Sequence, residues 1–205
     1  MEAIILAGGL GERLLPFTRV IPKPLLPVGE STVLEIRIQS LKKFGCKKLF
    51  IATNYKSQFV ESFLFDKKNY SLPIIFSKEE KPLGTCGPIK LLKDHLMSPF
   101  LLMNGDILTT LDFSKLYKFA LECDAELTVV TKEIITPFNF GRVISEGDYI
   151  VEIEEKPDFN LEILAGIYIL KPKLIELIPA DTFYGMDSLI KEMLVRNMKV
   201  AKYLM

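Results

Sequence analysis

The sequence predicts a three-layer α/β domain on a mixed, mainly parallel sheet, and three observations carry that expectation. Continuous apolar runs that end in glycine or in Asn-Gly-Asp alternate with amphipathic stretches over the first part of the chain, as in repeated strand–helix units. A pair of alternating segments joined by a turn at Gly147-Asp148 follows, which reads as a hairpin after the repeated units. The chain has 205 residues, 49% hydrophobic and 25% charged, enough to bury the core of one domain.

Each element follows from its own stretch. "EAIILA" (2–7) is apolar without alternation and runs into glycines, as a strand buried on both faces would. Ser31 or Thr32 can cap a helix running to about Phe44, with Leu34, Ile38 and Leu41 on one face and Gly45 as its stop. "KKLFIAT" (47–53) is a second buried strand, and a helix over about 57–65 follows. "LPIIFSKE" (72–79) is a third strand, "GPIKLLKDHL" (87–96) a helix, and "PFLLMNGD" (99–106) a fourth strand. A helix over roughly 112–123 leads to a strand in "AELTVVTKEI" (125–134). The hairpin spans 140–157, and "LEILAGIYIL" (161–170) is a further strand. Helices over about 172–178 and 186–197 precede a last strand, "KVAKYL". There is no repeat, low-complexity stretch or linker, so residues 1–205 read as a single domain.

Charge and cysteine usage narrow the function classes. The formal net charge is zero, so attraction for an anion must come from local placement. No basic tail or patch points to nucleic acid or to a membrane surface. No apolar run reaches the roughly 18 residues of a membrane-spanning helix, and "MEAIILAGG" lacks the basic start of a signal peptide. Cys46, Cys86 and Cys123 are odd in number and far apart, as reduced thiols of a cytoplasmic protein would be. The lone His95 cannot build a histidine metal cluster and reads as a helix-end residue.

Ligands of open α/β sheets bind beyond the carboxyl ends of strands, and three such ends carry unusual residues. After the first strand, Gly8, Gly9 and Gly11 remove the Cβ barrier to peptide N–H groups, and Arg13 and Lys23 add fixed cations. The loop is neither a G-x-G-x-x-G fingerprint, since position 14 is Leu14, nor a Walker A loop, since no G-K-[ST] follows. A plain glycine turn with surface cations remains the other reading of it. In "EEKPLGTCGPI", Gly84, Thr85 and Gly87 can present backbone to a planar base, with Glu79 or Glu80 accepting from its N–H groups; a turn with Thr85 as helix cap fits the same residues. In "NGD", Asp106 is a strand-end carboxylate of the kind that holds Mg²⁺ together with phosphate oxygens, or else a turn residue.

Taken in order over residues 1–170, these pieces resemble the sugar-1-phosphate nucleotidylyltransferases, mannose-1-phosphate guanylyltransferase-like members in particular. The pattern L-A-G-G-x-G-x-R-L, then P-K-P-L, P-L-G-T-x-G, N-G-D, F-G-x-V…E-K-P and A-G-I-Y occurs in sequence. The resemblance implies a Rossmann-like nucleotidyltransferase domain. It also implies a reaction in which an NTP and a sugar 1-phosphate give an NDP-sugar and pyrophosphate. Arg13 would hold the β and γ phosphates and Lys23 the α-phosphate, with the flanking prolines stiffening its loop. Leu6, Ala7, Gly8, Gly9, Gly11, Gly84 and Thr85 would frame the nucleotide, and Glu79 and Glu80 would favour guanine. Asp106 would carry Mg²⁺. Asn104, Gly141, Glu155, Lys156 and Gly166 would serve the sugar phosphate, with Glu155 on its hydroxyls and Lys156 on its phosphate. A homo-oligomer is implied as well.

Two departures from the family pattern bear on activity. The family carries a second metal carboxylate in a segment resembling W-x-D-I-G shortly after the last strand, and this sequence ends at Met205, before it; Asp187 reads instead as a helix-start residue. The polar residue expected just before A-G-I-Y is Leu164. Two functional readings therefore stand: a sugar-1-phosphate nucleotidylyltransferase using GTP, or alternatively UTP, dTTP or CTP, and a catalytically weak nucleotide- or sugar-phosphate-binding subunit. A redox Rossmann domain lacks its fingerprint.

Overall fold

The computed structural model describes residues 1–66 and 70–205. Seven strands form the central sheet: β1 (Glu2–Leu6), β4 (Lys48–Thr53), β5 (Ile74–Lys78), β6 (Phe100–Asn104), β7 (Leu127–Pro137), β10 (Asp158–Leu170) and β11 (Val200–Leu204). Their order is β11-β7-β10-β6-β1-β4-β5. Two-residue strands β2 (Pro27–Val28) and β3 (Ser31–Thr32) pair with each other, as do β8 (Arg142–Glu146) and β9 (Tyr149–Glu154). The sheet is mixed and mainly parallel, as the sequence predicts: β1, β4, β5 and β6 run together, β11 runs with β7, and β10 runs against both β6 and β7.

The apolar runs become strands covered on both faces. Along β1, Ala3 and Ile5 face one core while Ile4 faces the other. β4 repeats this with Leu49 and Ile51 against Phe50 and Ala52. The first core is closed by α1 (Val33–Lys43), α2 (Ser57–Asp66) and α4 (Phe113–Glu122), through residues such as Leu34, Ile38, Val60 and Phe113. The second is closed by α3 (Gly87–Lys90), a 3₁₀ segment (Pro172–Leu177) and α5 (Met186–Val195). Thr32, not Ser31, caps α1, in a reciprocal capping box with Glu35.

Two predicted helices differ. The stretch 87–96 is one α turn followed by the 3₁₀ turn Lys93–His95, and the helix expected over 172–178 is the 3₁₀ segment Pro172–Leu177. Both segments are short, and a helix of two turns has little cooperativity of its own, so packing on the sheet decides its pitch. Cys46, Cys86 and Cys123 are free thiols. Among the described residues, no helix is long and apolar enough to cross a membrane.

The chain leaves β1 for β4 and then β5 on one side, and returns to β6 on the other. The crevice between these two directions, at the carboxyl end of β1, is a topological switch point. The loops after β1, β4, β5 and β6 all open onto it.

Candidate active site

A cleft of 540 Å³ lies at that switch point, within the size range of small-molecule sites. Its floor is Leu6, Ala7 and the glycine loop, with Asn54 just after β4 on one side and Asn104, Gly105 and Asp106 at and just after the end of β6 on the other. Arg13 and Lys23 border it, as do Glu79, Pro82, Gly84 and Thr85. Three distant loops meet because β4 and β6 flank β1 in register, with Leu6 opposite both Ala52 and Asn104.

The approach of β6 to β1 depends on glycine. Gly105 donates its N–H to the Leu6 carbonyl at 2.9 Å, and a Cβ at 105 would lie 2.5 Å from that carbonyl oxygen. This turn aims Asp106 at the cleft, where its carboxylate forms an ion pair with the Lys23 ammonium. Lys23 starts a 3₁₀ turn after Pro22, whose fixed φ sets the direction of the chain. Its side chain is 27% exposed and that of Asp106 41%, so the pair sits at the cleft surface rather than in the core.

Between Gly8 and Ile21 the glycine loop has one buried side chain, Thr18. Thr18 donates its hydroxyl to the Gly11 carbonyl at 2.9 Å, while Gly11 sits at φ +67 with no room for a side chain against Thr18. From the loop after β4, Lys56 donates to the carbonyls of Thr18 and Arg19. Arg13 thus stands exposed on a loop anchored mainly at Thr18.

Glu79 and Glu80 part company. Glu80 is exposed and does not line the cleft, whereas Glu79 is buried and does. One Glu79 oxygen accepts from Leu83 N–H at 3.0 Å, and the other faces Gly8. Burial pushes its carboxyl above the ordinary range, and the Leu83 N–H only partly opposes this. Gly84 lies at φ +79 against the Tyr184 backbone, where a Cβ would meet the Tyr184 carbonyl oxygen at 2.7 Å. Thr85 is not the cap of α3: its hydroxyl accepts from Met186 N–H at 2.7 Å, at the start of α5. Asp187 is in the first turn of α5, as a helix-start residue, and does not line the cleft.

The expected sugar-side residues form two groups. Gly166, buried at φ +71 in a bulge of β10, abuts Asn104, and a Cβ there would be 2.7 Å from Asn104 Nδ2. Gly141 and Glu155 are neighbours in the β8–β9 region; Lys156 follows with φ 50. Gly141, Glu155 and Lys156 are exposed and lie outside the cleft lining, as does Leu164. Asn54, Pro82, Gly105 and Phe183 line the cleft without having been singled out in the sequence. Asn54 and Gly105 follow strands β4 and β6, so the strand-end rule could have found them. Phe183 lies in a loop that carries no motif.

Residues 2–202 match the family model described as nucleotidyl transferase. The mannose-1-phosphate guanyltransferase of Yarrowia lipolytica is 34% identical over 87% of this chain and 51% of its own length. That of Pichia angusta is 36% identical over 87% of this chain and 51% of its own. The chain therefore spans about half the length of the curated relatives it matches. A Bacillus anthracis crystal structure with sucrose, provisionally named a glucose-1-phosphate thymidylyltransferase, superposes with a TM-score of 0.79 at 26% identity, covering 100% of this chain and 87% of that one. The glycine loop, the strand-end carboxylate and the extent of the match together make this chain a member of the nucleotidyl transferase family.

Proposed function

We propose that the chain transfers a nucleoside monophosphate, GMP in preference, from an NTP to a sugar 1-phosphate and releases pyrophosphate. The observation that carries this is the meeting of Arg13, Lys23 and Asp106 at the mouth of one glycine-lined cleft. In the reaction a sugar-phosphate oxygen attacks the α-phosphorus in line, and the bond to the pyrophosphate oxygen breaks. Two polyanions must approach, so the protein's task is charge neutralisation and alignment. Lys23 reaches the α-phosphate region and Arg13 the leaving pyrophosphate. The Gly8–Gly11 loop keeps side chains from blocking the phosphates. Asn104, which lines the cleft, and Gly166, which packs against Asn104, are proposed to serve the acceptor, with Gly141, Glu155 and Lys156 reaching the sugar phosphate from the β8–β9 region.

Asp106 suits a hard divalent cation: it is an accessible carboxylate at the cleft whose present partner is a cation, Lys23. Mg²⁺ held there would supply neutralisation of phosphate charge. The preference for guanine rests on Glu79, whose buried carboxylate faces the cleft and can accept from paired N–H donors. The curated relatives named mannose-1-phosphate guanyltransferases support both the reaction class and the choice of GTP.

The test is pyrophosphate release from GTP, ATP, UTP, CTP and dTTP, each with a panel of sugar 1-phosphates. Release with GTP ahead of the others supports the proposal. A clear preference for UTP or dTTP overturns the assignment of the base, and no release with any pair overturns the activity.

A further inference from the structure

We propose that Phe183 is the stacking face for the nucleobase, and thereby a determinant of which nucleotide the cleft accepts. This rests on the reading that the cleft takes an NTP. Phe183 is 71% exposed although it lines the cleft, so a large apolar ring faces solvent where a ligand would lie. Its position is set by its neighbours. Tyr184 donates its N–H to the Leu83 carbonyl at 2.9 Å, and the Tyr184 carbonyl accepts from Cys86 N–H at 2.9 Å. Gly84 packs directly on the Tyr184 backbone, at a φ of +79 that admits no side chain. The Thr85 hydroxyl accepts from Met186 N–H, three residues beyond Phe183 in the chain. The loop 83–86 is thus laced to residues 184–186, and Phe183 is held beside Gly84 and Thr85.

The chemistry favours a planar ring. Pro82, Gly84 and Thr85 offer little that is charged, and Glu79 supplies an acceptor at the other side of the same loop. An aromatic face gains most from an aromatic partner of large area, and a purine offers more than a pyrimidine. A triphosphate chain offers nothing to it. Phe183 is therefore assigned to the base, while Arg13 and Lys23 take the phosphates, and the two contributions separate in experiment.

The chain contains no tryptophan, so Phe183→Trp installs a single fluorescent reporter at this position. GTP should quench it saturably, whereas inorganic tripolyphosphate and mannose 1-phosphate should leave it unchanged. By calorimetry, Phe183→Ala should bind GTP about 5- to 150-fold more weakly than the wild type, the range found when a base-stacking aromatic is truncated. Tripolyphosphate affinity should not change, and Phe183→Tyr should restore GTP binding. The thermal melt of Phe183→Ala should match the wild type, because the ring is exposed. Wild-type GTP affinity in Phe183→Ala overturns the stacking role alone. Equal losses for GTP and tripolyphosphate show a structural role and also overturn it. Quenching by mannose 1-phosphate but not GTP places the ring on the sugar. Failure of the wild type to bind any nucleotide overturns the reading of the cleft, and the stacking role with it.

Discussion

Lys23 and Asp106, 83 positions apart in the chain, are ion-paired at the mouth of the cleft. The pair is partly exposed, so it adds at most about 1 kcal/mol to stability. Asp106→Asn should leave the thermal melt nearly unchanged. It should abolish the Mg²⁺-dependent part of GTP affinity, measured by calorimetry with and without a chelator. A variant that keeps the full Mg²⁺ dependence would remove Asp106 from the metal's holders.

Lys56 has no place in the cleft lining, yet it holds the loop that carries Arg13. Lys56→Met should speed amide hydrogen exchange within residues 10–21 and leave the central strands unchanged. It should also lower turnover, since a displacement of about 1 Å in a positioning element can cost on the order of 10² in rate. Lys56→Arg should recover much of both. Unaltered exchange in Lys56→Met would show that Thr18 and Gly11 suffice to fix the loop.

Gly105 and Gly9 make a matched pair. A Cβ at 105 would lie 2.5 Å from the Leu6 carbonyl oxygen, whereas one at 9 meets nothing within 4 Å. Backbone cannot move aside as a side chain can, so Gly105→Ala should destabilise by about 1–3 kcal/mol in urea unfolding. Gly9→Ala should stay within about 0.5 kcal/mol of the wild type. Equal effects would mean that the β1–β6 approach is not set at Gly105.

Much of this fold is legible in the sequence because the central strands are covered on both faces. The interiors of these strands, "AIILA" (3–7), "LFIA" (49–52) and "FLLM" (100–103), are apolar at every position, as a core on both faces requires. The short 3₁₀ segments are not legible, because their pitch is set by the sheet they rest on and not by their own periodicity. In the site, the glycine loop, Lys23 and Asp106 are readable through motif order and strand ends. Glu79 and Glu80 are not separable in sequence, since side-chain burial at a strand end depends on which face the last pleat turns to. Phe183 and Lys56 are invisible for a different reason: they act on the cleft through contacts between loops far apart in the chain.

Burial of Glu79 predicts a pH dependence of stability. Its folded carboxyl is raised above the ordinary 4.5, mainly by desolvation. The folded state therefore holds its proton more tightly than the unfolded chain does. The associated stability is fully present below the unfolded value and is lost as pH rises through the folded one. Glu79→Gln removes the charge and keeps an acceptor for Leu83 N–H. Its thermal melt should rise relative to the wild type as pH goes from 4 toward about 7. A difference that shrinks with rising pH would contradict the burial of an ionisable group there.

The proposed role of Arg13 and Lys23 is to stabilise charge as the α-phosphorus changes partners. It is tested most directly by ³¹P NMR of GTP with mannose 1-phosphate, comparing the wild type with Arg13→Ala and Lys23→Ala. The wild type should give one GDP-sugar for each pyrophosphate. Each variant should be slower by roughly 10²–10³, as for loss of one preorganised charge stabiliser, with an unchanged thermal melt. Equal rates in all three proteins, or pyrophosphate without GDP-sugar, would contradict it.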